Sequence, residues 1–182
     1  MNKVDLGKYS NSWYNPGGSL KRAIWYLINI LFFKSSIPTP NRFKTLLLRT
    51  FGADVGRGVI IKPSVNIKYP WFLKIGNNVW IGENAWIDNL TDIQIGDNVC
   101  ISQGAFLLTG NHNYKKVTFD LMTQPIEVED GVWIGAKAVI CPGVTLGTHS
   151  VISVGSIVSK NTDPYGIYSG VPSVLVGKRV IE

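Results

Sequence analysis

The sequence predicts a parallel β-helix of triangular section, on three observations. Aliphatic residues recur at every sixth position, glycine often follows them, and small or aliphatic residues stand two places before them. The register begins Val55, Ile61, Ile67 and, after two inserted residues near Tyr69 and Pro70, continues Ile75, Ile81, Ile87. After two more near Asn89 it resumes as Ile95, Ile101, Leu107, and after a longer break as Val128, Ile134, Ile140, Leu146, Ile152, Val158. Gly56, Gly76, Gly82, Gly96, Gly135 and Gly147 follow the aliphatic residue, where a turn needs positive φ or close approach. Val79, Ala85, Val99, Ala105, Val132, Ala138 and Ser150 precede it by two.

Six residues make one short strand and a turn, so three sixes return the chain to its starting side. Each aliphatic then stacks on its counterpart about 4.8 Å away. Fifteen repeats give five coils, a prism about 24 Å long. An α-helix is excluded, because residues six apart fall on different helix faces.

Three regions follow: a helical capping segment at 1–52, the β-helix at 53–160 with a loop at 108–125, and a tail at 161–182. In the first region Pro16-Gly17-Gly18 breaks the chain, Ser19 is placed to cap, and Leu20 to Phe33 reads as a helix. Asn41 is placed to cap a second helix, Arg42 to Phe51, which Gly52 closes. An open β-helix end exposes strand edges and apolar side chains, so covering it is the expected role of these helices. The alternative is an interfacial anchor through residues 20–34, with Trp25, Tyr26, Phe32 and Phe33 in lipid and Lys21, Arg22 and Lys34 at headgroups.

At 182 residues, with 45% hydrophobic and 16% charged residues, the chain has enough apolar content for one packed domain. The net charge of +6 is concentrated: residues 1–50 carry eight Lys and Arg against Asp5 alone. Such an excess suits membrane phosphate or another subunit. No nucleic-acid motif accompanies it, so nucleic acid is not an expected partner. The apolar run Ala23 to Phe33 is too short to span a bilayer. No secretory signal pattern opens the chain, and Cys100 and Cys141 are too few for a disulfide framework. The expected location is cytoplasmic, with peripheral contact at the inner membrane face as the variant of that reading.

The register breaks once at length, between Leu107 and Val128, where fifteen extra residues begin Thr109-Gly110-Asn111-His112-Asn113-Tyr114. Long loops in compact repeats tend to carry function. His112 stands at the root of this loop, Gly110 permits a tight turn, and polar neighbours are placed to orient the ring. Imidazole changes charge near neutrality, so it can take a proton from a hydroxyl. The other histidine, His149, sits at a coil corner and receives no role. No Cys/His cluster has zinc-ligand spacing, so no metal is expected.

Further stretches carry a resemblance: Ile61-Lys62-Pro63, Ile67-Lys68-Tyr69-Pro70-Trp71, Val79-Trp80-Ile81-Gly82-Glu83, Trp86-Ile87-Asp88-Asn89-Leu90, Cys100-Ile101-Ser102-Gln103-Gly104, Leu107-Leu108-Thr109-Gly110-Asn111-His112 and Val132-Trp133-Ile134-Gly135-Ala136. In these the chain resembles the hexapeptide-repeat, left-handed β-helix acetyltransferases, and among them the colanic-acid-biosynthesis-type O-acetyltransferases. The resemblance, and not the spacing, implies the left hand. It implies a homotrimer with active sites between subunits, acetyl-CoA as co-substrate, and a sugar or lipid-linked glycan acceptor in extracellular polysaccharide biosynthesis. It makes His112 the general base for direct attack on the thioester, with backbone amides at the oxyanion.

By the same resemblance Asp88, Asn89, Asn111 and Trp133 are expected at the acceptor. Trp133, Ala136, Val154, Ser159 and Lys160 are expected along CoA, with Lys178 and Arg179 meeting its nucleotide phosphates by charge. Val174 stands where relatives place an Arg after the Gly-Val-Pro turn at 170–172, a departure at the phosphate end. Competing readings are a non-catalytic β-helix scaffold subunit and an N-acetyltransferase acting on an amino sugar. A zinc carbonic anhydrase of this shape needs three histidine ligands per metal, and one plausible histidine is present.

Overall fold

The computed structural model describes residues 3–182. Its body is a parallel β-helix of short strands arranged in three sheets, and all fifteen aliphatic positions of the register are buried inside it. The faces are distinguished by the side chains that point outward. The first face stacks Asp54, Lys74, Gln94, Glu127 and Thr145. The second stacks Ile60, Trp80, Cys100, Trp133, Val151 and Ile167. The third stacks Asn66, Trp86, Phe106, Val139 and Ile157. One face is therefore polar and two are largely apolar.

Glycine after the inward aliphatic is explained by close approach rather than by positive φ. A Cβ on Gly135 would lie 2.6 Å from the Ile152 carbonyl oxygen of the next coil, and one on Gly56 would lie 2.5 Å from that of Gly76. Corners stacked this tightly leave no room for a side chain. Positive φ falls elsewhere in the corners, as at Asn78, Asn84 and Asn98.

The expected five coils become about six. Thr162 bridges to Leu146, and Gly166–Gly170 pairs in parallel with Val151–Ile152. Residues 161–178, expected as a tail, thus add a partial turn, which Ser173–Lys178 closes as an antiparallel strand. This turn escaped the aliphatic register because it drops two residues and points Thr162 and Tyr168 inward. Their hydroxyls are satisfied locally. Thr162 Oγ1 accepts from Gly147 N and donates to Ser150 Oγ, while Tyr168 Oη lies 3.1 Å from Asp163 Oδ2.

The N-terminal helices are α1 (Ser19–Ile28), which runs into a wide π turn at Asn29–Phe33, and α2 (Asn41–Thr50). Neither expected cap forms: Gly18 and Pro40 occupy the N-cap positions, without side-chain bonds. Asn41 instead accepts from Ile61 N through Oδ1. The helices satisfy the first coil's strand edge on all three faces. Arg49 donates to Val55 O, Lys44 Nζ to Ile61 O at 3.1 Å, and Trp25 Nε1 to Ile67 O at 2.9 Å. Asn29 Oδ1 accepts from Ile67 N. The edge that would template aggregation is covered. Trp25 and Phe33 lie in the core, which corrects their assignment to lipid. Leu20, Ile24, Leu27 and Leu31 remain exposed, and their 4-3-4 spacing makes one stripe along the helix. No helix of the described residues is long and apolar enough to cross a membrane.

Lys44 is fully buried, and burial pushes its pKa down. Lys44→Ala removes the donor to Ile61 O and Lys62 O and opens a cavity, so we expect a loss of about 2–4 kcal/mol by chemical denaturation. The pH dependence has a definite sign. Between the lowered folded value and the ordinary 10.5, the unfolded chain binds the extra proton, so the Lys44 contribution to stability rises with pH in that window. The variant loses that slope.

Candidate active site

The long interruption folds as a hairpin in which Gly110–His112 pairs antiparallel with Leu121–Thr123. It leaves the prism at the corner between the third and first faces. Thr109 anchors its root, with its N and Oγ1 both donating to Asp88 O. Within the hairpin, His112 stacks on Phe119 at 4.5 Å between centroids and 8° between planes. His112 Nδ1 lies 2.9 Å from Phe119 O. A carbonyl only accepts, so Nδ1 carries the proton and Nε2 keeps a free lone pair. Phe119 holds that carbonyl in place from φ +50°, an outlying conformation for a bulky residue that the surrounding hairpin imposes.

The N-terminal segment passes over this corner. Tyr9 sits 5.9 Å from the His112 ring, and Asp5 N donates to Val117 O at 2.9 Å. Tyr14 Oη donates to Leu90 O at 2.7 Å. Burial, then the nearby Tyr69 and Asp88, push the Tyr14 phenol well above its usual range, so it remains a donor. Burial also pushes the Cys100 and Cys141 thiols up, which disfavours either as a nucleophile.

Asp88 is half-buried one coil below the hairpin root, with Lys68 Nζ 2.9 Å from its Oδ1, an ion contact rather than an aligned hydrogen bond. Asn89 is placed differently from expectation. It is fully buried, with Oδ1 accepting from Tyr69 N and Nδ2 donating to Tyr69 O at 2.6 Å. It staples two coils and cannot reach an acceptor. Asn89→Ala is expected to cost about 1–3 kcal/mol in denaturant unfolding, while the KM for the acceptor stays within about twofold because no substrate contact is lost. Asn111 is exposed, and its Oδ1 accepts from His112 N at 2.8 Å, steadying the loop.

The other expected residues divide by edge. Ser159 and Lys160 are exposed on the hairpin's own corner, two coils above. Trp133 points outward from the second face, half-exposed, with Nε1 donating to Ser102 Oγ at 2.9 Å. Ala136 and Val154 stack at the corner between the second and third faces, where Gly155 N donates to Ala136 O. Arg179 is turned elsewhere. Its Nη1 donates to Gly131 O and His149 O at the corner between the first and second faces, so it ties down the last turn rather than standing ready for phosphate. Lys178 ends the antiparallel strand above the second face. His149, given no role, stacks on Tyr165 at 4.9 Å in that same corner.

In a triangular prism the second face lies opposite the corner that bears the hairpin. Its outward side chains point away from His112. Within one protomer, Trp133 and His112 cannot line the same pocket.

The sequence compares with known proteins along nearly its whole length. It is 33% identical over 167 residues to a putative colanic acid biosynthesis acetyltransferase of Escherichia coli, covering 92% of each chain. The chain belongs to the hexapeptide-repeat acetyltransferases. Two family models match this acetyltransferase: the hexapeptide repeat of succinyl-transferase at residues 73–108, and the bacterial transferase hexapeptide (six repeats) at 125–160. It is also 35% identical over 143 residues to a galactoside O-acetyltransferase of Escherichia coli, covering 77% of this chain and 70% of that one. Among solved structures, a galactoside acetyltransferase in complex with coenzyme A superposes with a TM-score of 0.77 at 30% identity, covering 87% of this chain and 80% of that one. A hexapeptide-repeat acetyltransferase of Vibrio cholerae, complexed with acetyl coenzyme A, shares the fold with a TM-score of 0.79 at 24% identity and 87% coverage of both chains.

Tyr9 and Ser102 act through contacts between segments far apart in the chain, and Phe119, seven residues from His112, meets it only through the turn of the hairpin, so no local pattern marks the three.

Proposed function

We propose that the protein transfers an acetyl group from acetyl-CoA to a sugar hydroxyl in extracellular polysaccharide biosynthesis. The observation that carries this reading is the His112 ring, held through Nδ1 by Phe119 O so that Nε2 is the proton acceptor. His112 Nε2 takes the proton from the acceptor hydroxyl, and the oxygen attacks the thioester carbonyl directly. The thiol leaves with a proton, and the product is an ester. No acyl-enzyme is required, in keeping with the burial-raised cysteines.

The site forms between subunits of a homotrimer. His112 and Asp88 come from the hairpin corner of one protomer, and Trp133, with Ala136 and Val154, from its neighbour. The two apolar faces support this arrangement. A head-to-tail ring in which the third face of one chain meets the second face of the next closes after three copies and covers apolar surface on both. Ser159 and Lys160 lie along the same intersubunit groove and are positioned for the CoA chain and phosphate. The chain works at the inner face of the membrane, where the basic N-terminal segment meets anionic lipid.

The deciding assay is thiol release from acetyl-CoA against a panel of sugars, with mass spectrometry of the product. Hydroxylamine-labile acetylation of a hydroxyl is expected. An amide product points to amino-sugar N-acetylation, and no thiol release with any sugar leaves the non-catalytic scaffold as the reading.

A further inference from the structure

A cavity of about 680 Å³ lies between α1 and the third face. Its charged lining is Arg22, Lys34 and Lys68 against a single carboxylate, Asp88, a net charge of +2. Among the described residues, neither Arg22 nor Lys34 is in an ion pair, and Arg22 Nε is buried without a hydrogen-bond partner. Buried, unpaired guanidinium nitrogen is costly, and the cavity beside it has room for the anion that would remove the cost.

We propose that this cavity holds the diphosphate of a lipid-carried sugar, with the sugar directed past Asp88 toward His112. The proposal rests on the acceptor reading above and specifies its class. A diphosphate diester carries two negative charges, which match the cavity's net charge. Arg22 offers the fork geometry that suits phosphate oxygens. The distance to the base is suitable. Asp88 pairs in register with Leu108, four residues before His112, so the Asp88 and His112 Cα atoms are at most about 19 Å apart, four residues of chain and one strand spacing, a span that a short glycan bridges.

The lipid has its own track. Ala23 and Leu27 wall the cavity, and Leu27 belongs to the exposed stripe formed with Leu20, Ile24 and Leu31. A prenyl chain leaving the diphosphate meets that stripe, which continues to the membrane surface. The apolar track favours a lipid carrier over a nucleotide. Of the aromatic rings in the lining that a nucleotide would stack on, Trp86 is already stacked on Phe106 at 4.7 Å, Tyr69 is stacked on Trp71, and Trp25 is packed on Phe33, which leaves the exposed Tyr26.

The test measures binding to the full chain without acetyl-CoA, by titration calorimetry, using farnesyl diphosphate, farnesol, inorganic pyrophosphate and uridine diphosphate as probes. Farnesyl diphosphate is expected to bind at least about tenfold more tightly than each of the others. Arg22→Gln and Lys34→Gln are each expected to weaken it by about tenfold, with circular dichroism melts confirming that both variants fold. Equal binding of farnesol, or undiminished binding by both variants, overturns the diphosphate site. Uridine diphosphate binding as tightly as the prenyl probe overturns the lipid carrier. Because no acetyl transfer is read, a protein that binds farnesyl diphosphate but never releases thiol refutes the catalytic reading and not the cavity.

Discussion

His112→Ala is expected to lower acetyl transfer by about 100-fold or more, the usual contribution of a positioned general base. The fall should appear in kcat with little change in KM for acetyl-CoA, because the ring is assigned to the proton rather than to CoA. The thermal midpoint should hold. The ring is only half-buried and packs on Phe119 and Tyr9 in the hairpin region, outside the aliphatic core. The measurement is steady-state thiol release beside a melt of the same preparation. Turnover equal to the parent protein would remove the base assignment, whatever the state of the fold.

The second large effect is expected at Trp133. Its indole stands outward on the second face and is held by Ser102, where the groove against the neighbour's hairpin corner is proposed to take acetyl-CoA. Trp133→Glu places a carboxylate against an anionic co-substrate, and like charges in close contact cost several kcal/mol. The KM for acetyl-CoA should rise by about 100-fold. The side chain is 48% exposed in the protomer, so the coil itself tolerates the change, and Trp133→Ala supplies a milder check. A Trp133→Glu trimer with the parent KM would place the CoA path elsewhere.

The prism was legible in the sequence because its physics is local and repetitive. A residue that points inward every sixth position has to be aliphatic, and from Val55 to Val158 each is. The register failed where the core changed chemistry, at Thr162 and Tyr168, whose hydroxyls find partners and so need no apolar side chain. The hairpin that carries His112 was legible because a polar, glycine-containing loop interrupts the repeat. Asn89 was misread through proximity to Asp88. Side chains alternate along a strand, so with Ile87 inward and Asp88 outward, Asn89 turns back into the prism, where an amide can staple coils but not meet a sugar. Arg179 was assigned by its charge alone, and its carbonyl partners at Gly131 and His149 come from loops 30 or more residues away. Nothing in the local sequence marks them.

The division of the site between subunits is tested most directly by mixed trimers. His112→Ala and Trp133→Glu chains, carrying different affinity tags, are co-expressed, and only assemblies holding both tags are purified. If the base and the indole come from different protomers, one of the three interfaces in every such trimer pairs an intact His112 with an intact Trp133, about a third of the sites. Activity should return to about that share of the parent level. Mixed trimers no more active than either variant alone would contradict the account, since no site would then be completed by the His112 of one chain and the Trp133 of the next.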